Sequence, residues 1–217
     1  YVRGLWVAAD GMIYQSFANN RAVHQIIQTD VKDLMEINVA VDFGGGKSGH
    51  AFVATGMTRG YNRLIVLASE RYMRGDQREE IDPDKLGELF VDFCRKIIAQ
   101  YGVIHHAYCD SAEQTLIAGL RTAARKSGLG WIVIGNALKT TINDRIRATL
   151  RLIAQGRFFY ILEKCKTLDE ALSGAIWNPK NATEDERLDD GTSDIDTLDA
   201  FEYTFERSIA QLIRYER

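Results

Sequence analysis

No stretch limits the fold of this chain more than residues 37–49, INVAVDFGGGKSG. A short apolar run rich in β-branched residues, Ile37 to Val41, has the composition of a buried strand, and it ends in an acid, Asp42. A carboxylate at the end of a buried strand is costly unless something compensates it. Gly44, Gly45 and Gly46 follow at once, and residues without a Cβ let a phosphate, a metal or another stretch of backbone come close. Any fold for this chain has to place a partner beside Asp42.

The pattern downstream narrows the choice. Residues 37–42, 50–56 and 63–69 read as three strands joined by short turns, which favours antiparallel pairing. Asp82 and Pro83 then open a helix as N-cap and first helical residue. Leu86, Leu89, Phe90, Phe93, Ile97 and Ile98 recur along it at helical spacing, and Gly102 ends it. A fourth strand over 103–109 ends in Asp110. Ser111 and Gln114 have capping-box spacing for the next helix, with Leu116, Ile117, Leu120 and Ala124 as its apolar stripe. A fifth strand follows over 131–134.

Strands alternating with helices imply parallel strands with helices covering the sheet. A basic helix over 141–155 is expected to turn Ile142, Ile146, Leu150 and Ile153 inward and its arginines outward. Residues 158–162 are apolar and extended, and 168–176 form a short helix. After a polar, acidic loop at 181–191, a final helix over 194–214 carries Ile195, Leu198, Phe201, Phe205, Ile209 and Leu212 on one face. Residues 1–35 lack a single period. They read as an appendage, with a small hairpin around Asp10 and Gly11, leaving 36–217 as the domain.

Composition excludes some classes. The 217 residues are 46% hydrophobic and 26% charged, the balance of a soluble globular chain. No apolar run approaches the roughly 20 residues of a membrane span, and no signal peptide is visible. The chain opens at Tyr1 without a methionine, which reads as part of something longer. Cys94, Cys109 and Cys165 are far apart and read as reduced, buried thiols rather than a zinc site or a disulfide framework. Cys109 beside Asp110 lacks a histidine partner at a nucleophile's spacing, and His105 and His106 suit core or surface roles. The net charge of −3 argues against a simple nucleic-acid coat. Its distribution says more. Lys139, Arg145, Arg147, Arg151 and Arg157 face a single acid, Asp144, whereas 184–199 holds eight acids against one base, Arg187. A basic helix and an acidic stretch are two solvated faces, or a phosphate track and a cation site.

The acids that could carry chemistry are Asp42 after strand one, Asp110 after strand four and Asp199 on the last helix. In an open α/β sheet, sites gather at the carboxyl ends of the strands. If strands one and four are parallel neighbours, two carboxylates lie side by side, and either one is protonated or a cation sits between them. An all-oxygen set suits Mg²⁺ or Mn²⁺, and two such ions support phosphodiester hydrolysis. The plainer alternative is that Asp42 caps the glycine turn and Asp110 the helix after it. Asp196, a turn before Asp199, is either a further metal ligand or the end of a capping box begun at Ser193. Lys139, with Arg145, Arg147 and Arg151, would extend a track for DNA phosphates.

Two lookalikes compete. Gly46, Lys47 and Ser48 resemble the end of a phosphate-binding P-loop, but position 41, where that loop needs glycine, is valine. Residues 42–47 also resemble the first phosphate loop of actin-like and sugar-kinase ATPases, which makes an ATP-binding module the alternative reading. Those proteins need a second Asp-x-Gly strand ending, and Asp110 is followed by Ser111 and Ala112. A non-catalytic DNA- or partner-docking domain is a third possibility.

Taken in order along nearly the whole chain, these residues resemble the nuclease domain of the large terminase subunit of tailed bacteriophages. Gly4-Leu-Trp-Val, Gly11-Met-Ile-Tyr14 and Phe17 are similar to the segment joining the terminase ATPase to its nuclease. Val39-Ala-Val-Asp42-Phe-Gly44 resembles the strand with the first metal-binding acid, and Tyr108-Cys-Asp110-Ser-Ala-Glu113 the motif of the second. Lys139 with Asn143, Asp144 and Ile146 resembles the downstream lysine-and-helix motif, followed by a similar stretch from Cys165 to Leu172 and Trp177. Asp196-Thr-Leu-Asp199-Ala-Phe-Glu-Tyr203 is similar to the final helix, with Asp199 in the place of the third ligand. Many relatives carry histidine where this chain has Asp196. The resemblance implies an RNase H-like fold with a mixed five-stranded core sheet flanked by helices. It also implies a Mg²⁺- or Mn²⁺-dependent endonuclease that holds two ions and cuts concatemeric viral DNA during packaging. The implied partners are double-stranded DNA, an ATPase domain in the same full-length chain, the portal protein and the small terminase subunit, in the host cell cytoplasm and without a membrane.

Overall fold

A computed structural model describes residues 11–44, 48–73, 81–180, 186–191 and 193–214. The strands are β1 (Leu34–Asp42), β2 (His50–Thr58), β3 (Leu64–Tyr72), β4 (His106–Cys109), β5 (Val133–Asn136) and β6 (Phe158–Tyr160). They form one sheet in the order β5-β4-β1-β2-β3-β6. The pairs β1–β2 and β2–β3 are antiparallel, and β1–β4, β4–β5 and β3–β6 are parallel. This is the mixed, RNase H-like arrangement expected, with one strand more than the expected five. The apolar residues at 158–160 supply it by pairing with Leu64, Ile65 and Val66 at an edge.

The helices are α1 (Gln15–Asn19), α2 (Pro83–Tyr101), α3 (Gln114–Lys126), α4 (Ile142–Ala154), α5 (Lys166–Gly174), α6 (Ile195–Phe205) and α7 (Ile209–Leu212). Successive strand residues point to opposite faces of the sheet, and both faces are covered. Ile37, Val39 and Val41 join Phe52, Ile65 and Leu67 against Phe90, Phe93, Ile117 and Leu120 of α2 and α3. Ala51, Val53, Leu64 and Val66 pack against Ile146, Leu152, Leu168, Phe201 and Phe205 on the other side. Asp82 caps α2 by accepting the Lys85 N–H at 2.7 Å, with Pro83 at its first turn, and Gly102 ends it with φ 99°.

Three local expectations are corrected. The N-cap of α3 is Glu113 rather than Ser111, because Gln114 turns its amide to Ser111 O and Asn136 Oδ1 and so cannot close a capping box. The last helix is interrupted by a 3-10 turn at Glu206–Ser208 between α6 and α7. On α4, Ile142 is exposed while Arg145 is buried. The hairpin proposed around Asp10 and Gly11 lies largely outside the described residues. The stretch that follows is packed into the core: Tyr14 and Phe17 are fully buried, and Ile13 N–H donates to Ala175 O at 2.9 Å. His24 stacks on Phe17 and has Nδ1 at 3.1 Å from Phe158 O, a core role.

Candidate metal centre

Parallel pairing of β1 with β4 puts Val41 beside Cys109, and the Asp110 N–H donates to Val41 O at 3.0 Å. Asp42 and Asp110 therefore end neighbouring strands. Counting by twos from Ala40 and Tyr108, which pack together with Tyr203 of α6, both acids point toward α6. Asn38, earlier on that side of β1, donates to Thr204 O at 3.1 Å and ties strand to helix. Asp199 lies one turn before Tyr203 on α6. The structure thus brings toward one strand end three acids that are far apart in sequence.

The electrostatics show how close this grouping is. Burial, then Asp199, Asp110 and Asp196, push the Asp42 carboxyl up to about 8, and Lys139 offsets this only in part. The same acids act on Tyr203, whose hydroxyl is raised by burial first and then by Asp199, Asp42 and Asp110. Asp42 is the acid that burial and its neighbours leave with too little positive charge.

The other acids have cationic partners. Lys139 Nζ pairs with Asp110 Oδ1, and the same oxygen accepts the Ala112 N–H at 2.9 Å, closing a turn at the head of α3. Arg187 Nη2 lies 2.5 Å from Asp199 Oδ1, and its Nη1 lies 2.9 Å from Glu202 Oε1. Glu202 is fully buried. Burial raises its carboxyl against the pull of Arg187 and Arg145. For Arg187, burial alone would lower the pKa, but Glu202, Asp199 and Tyr14 more than reverse that and hold the guanidinium charged.

Arg145 is the one expected member of the DNA track that the structure moves elsewhere. It is 3% exposed, and its Nη1 stands 3.3 Å from Glu202 Oε2 and 3.5 Å from Asp199 Oδ1, ion pairs without hydrogen-bond alignment. Its guanidinium lies 5.3 Å from the Tyr203 ring centre. A buried arginine cannot extend a surface track, and its place on α4 follows from the buried Glu202 that needs it. Arg147 is exposed and Arg151 half-buried, on the outer side of the same helix.

Asp196 does not cap α6. Asp194 is the N-cap, accepting the Thr197 N–H at 3.0 Å. Asp196 Oδ2 instead accepts the Gly49 N–H at 2.9 Å and Arg71 Nη2 at 2.8 Å, fastening the glycine turn to α6. At the other end of that turn, a Cβ on Gly44 would stand 2.4 Å from Gly49 C. The glycine at 44 is required by this backbone crossing. Residues 45–47 of the supposed phosphate loop lie outside the described residues.

An open cleft of about 660 Å³ runs past this centre, lined by Thr141, Asn143, Glu186, Arg187, Asp189 and Asp199 among others. The donor set fits a hard divalent cation, being all-oxygen, partly desolvated and more negative than Lys139 offsets. Among the described residues no three acid, histidine or cysteine side chains converge as a formed metal cage. Asp110 is turned to Lys139 and Asp199 to Arg187. Cys109 is no competitor as nucleophile, since burial pushes its thiol up to about 12. Sequence reasoning missed Arg187, Glu202 and Tyr203 as parts of this centre. The lone base in an acidic run and the acid three residues after Asp199 were the available signals.

No protein-family model matches the chain, and no curated protein matches it in sequence. Solved structures do. The large terminase of a thermophilic bacteriophage, in complex with ADP, is 21% identical with a TM-score of 0.71, over 97% of this chain and 48% of that one. The nuclease domain of the bacteriophage SPP1 large terminase with bound Mn is 19% identical with a TM-score of 0.56, over 80% and 87%. The P22 large terminase nuclease domain is 12% identical with a TM-score of 0.65, over 96% and 100%. The chain has the terminase nuclease fold. It spans about half the length of the thermophilic phage's large terminase, 48%, and the whole of the P22 nuclease domain, 100%. These neighbours lend no support to the ATP-binding alternative. No helix among the described residues is long and apolar enough to cross a membrane.

Proposed function

We propose that this chain is the endonuclease domain of a viral terminase large subunit, cutting concatemeric double-stranded DNA during genome packaging. The observation that carries the reading is the buried Asp42 carboxylate, facing Asp110, Asp199 and Asp196 at the carboxyl end of the sheet. The Mn-bound SPP1 nuclease domain with the same fold supports divalent-metal chemistry. Asp42, Asp110 and Asp199 would hold Mg²⁺ or Mn²⁺, with two ions as the arrangement suited to phosphodiester hydrolysis. Bound there, the ions supply charge stabilisation on the phosphate and lower the pKa of an attacking water.

The chain's own residues have separate tasks. Lys139 and Arg187 neutralise Asp110 and Asp199, the two carboxylates that would hold a divalent cation together with Asp42. Arg187 and Arg145, held on Glu202, keep positive charge behind Asp199 and fix the helix that carries it. Asp196 keeps the glycine turn closed beside the site through Gly49 and Arg71, and it is the further carboxylate that could join the metal ligands. Lys139, Arg147 and Arg151 contact the DNA backbone. Residues 1–35 join an ATPase domain in the full-length chain to the nuclease domain at 36–217. The portal protein and the small terminase subunit are its further partners, in the host cell cytoplasm.

The test is plasmid cleavage in Mn²⁺ and in chelator. The wild-type chain should cut only with metal. Asp42→Ala, Asp110→Ala and Asp199→Ala should each abolish cutting while circular dichroism shows an intact fold. Undiminished cutting by a folded Asp42→Ala protein would remove the assignment.

A further inference from the structure

A second acid that the proposed chemistry does not use is buried where α6 ends. Glu206 is 4% exposed and sits at the helix C-terminus, where the terminal carbonyls already disfavour negative charge. The loop between β5 and α4 compensates it. Glu206 Oε1 accepts the backbone N–H groups of Leu138 at 2.5 Å and Lys139 at 3.1 Å. Oε2 accepts the Thr140 N–H at 3.0 Å and the Thr140 hydroxyl at 3.2 Å. Three successive N–H groups converging on one carboxylate form an anion-binding nest, filled here by the protein's own side chain.

The middle residue of that nest is Lys139, whose φ of 54° lies in the left-handed region. Non-glycine residues stay there only when their surroundings impose it. The flanks are tied as well. Ala137 N–H donates to Cys109 O at 2.7 Å, and Arg207 Nη2 donates to Asn136 O at 3.2 Å. The Lys139 ammonium meets Asp110 Oδ1. Two helical turns of α6 therefore separate Asp199 from a residue that fixes the lysine facing Asp110.

We propose that Glu206 is a positioning residue for the nuclease reaction, acting through Lys139. Its carboxylate holds the 138–140 backbone in the one conformation that directs the lysine at Asp110. The inference rests on the nuclease reading above.

The test is a double-mutant cycle in Mn²⁺ with Glu206→Gln and Lys139→Ala. Glu206→Gln should lower kcat by tenfold or more with KM for DNA within about twofold, Lys139→Ala should lower kcat at least as much, and the double variant should be no slower than Lys139→Ala alone. Trypsin should cut after Lys139 at least tenfold faster in folded Glu206→Gln than in wild type. If Glu206→Gln fails to fold, amide exchange in the wild type decides the point. Leu138, Lys139 and Thr140 should exchange as slowly as the interior of α4, and fast exchange overturns the clamp. Multiplying losses in the double variant, or full activity in Glu206→Gln, overturn the positioning role alone. A wild-type chain inert in Mn²⁺ instead overturns the nuclease reading, and Lys139's role with it, whatever the exchange rates show.

Discussion

The two faces of the sheet are built to different rules. Toward α2 and α3 the contacts are aliphatic and aromatic, with Phe52 edge-on to Phe90 at 6.2 Å and to Phe93 at 5.7 Å. Toward α4–α6, or at the rim of that face, lie the buried charged side chains among the described residues: Asp42, Arg145, Asp169, Arg187, Glu202 and Glu206. Apolar burial contributes stability in proportion to area. A buried ion network at best offsets its own desolvation. Both faces bury an apolar core, and the α4–α6 face carries its charge in addition to that core rather than in place of it.

The largest expected effect separates the faces by activity. Asp42→Asn should reduce plasmid cleavage in Mn²⁺ by about a thousandfold or more without lowering the melting temperature. A variant that loses both equally would break the comparison, because Asp42 would then be structural. Next comes Phe90→Ala on the apolar face, which should cost about 3–5 kcal/mol in urea denaturation. Its cleavage rate per folded molecule should stay unchanged. A specific loss of kcat in that variant would show that the α2–α3 face also shapes the site.

A pH series sharpens the same contrast. Asp42 is held at about 8 when folded, against an ordinary 3.8. Between these values the unfolded chain gives up a proton that the native state keeps, so metal-free stability falls as pH rises from about 4 to 8. The contribution is on the order of 4 kcal/mol at pH 7. Asp42→Asn should flatten this slope in chelator, measured by thermal melts, and should melt above wild type at pH 7. A wild-type slope equal to the variant's would mean that Asp42 is ionised without metal.

The smallest effect concerns the two sides of α4. Arg147→Ala should weaken DNA binding a few-fold and reduce the salt slope by about 1, with stability unchanged. Arg145→Ala, which deprives buried Glu202 of a partner, should instead destabilise the fold by about 3 kcal/mol. Equal effects of the two on the salt slope would return Arg145 to the DNA track.

Much of the frame is legible from the chain because it depends on local signals. Short apolar runs and short turns give β1–β3, and Asp82, Pro83 and Gly102 bound α2. The acids at strand ends are visible for the same reason. What escapes is set by partners remote in sequence. Arg145 looks like any outward arginine on an amphipathic helix until Glu202, on another helix, is seen beneath it. Arg187 looks like a stray base in an acidic loop until it is found between Asp199 and Glu202. The capping box at Ser111 fails because Gln114 is drawn away to Asn136. Glu206 gives no sign of its role, because a nest of N–H groups has no side-chain signature.

The place of α6 in the chain has a consequence for synthesis. This helix packs across β1, β2 and β4, yet all six strands among the described residues precede it. Chains are made from the amino end and fold as their parts emerge. The sheet, with Asp42 and Asp110 already on adjacent strands, can therefore assemble on the ribosome before Asp199 and Glu206 exist. Under the proposed nuclease reading, the three-acid centre is incomplete until this last helix docks, and assembly order would act as a safety catch. Truncation before Ile195 should yield chains that bind Mn²⁺ poorly and cut nothing, and cleavage by such a chain would show that the catch is absent.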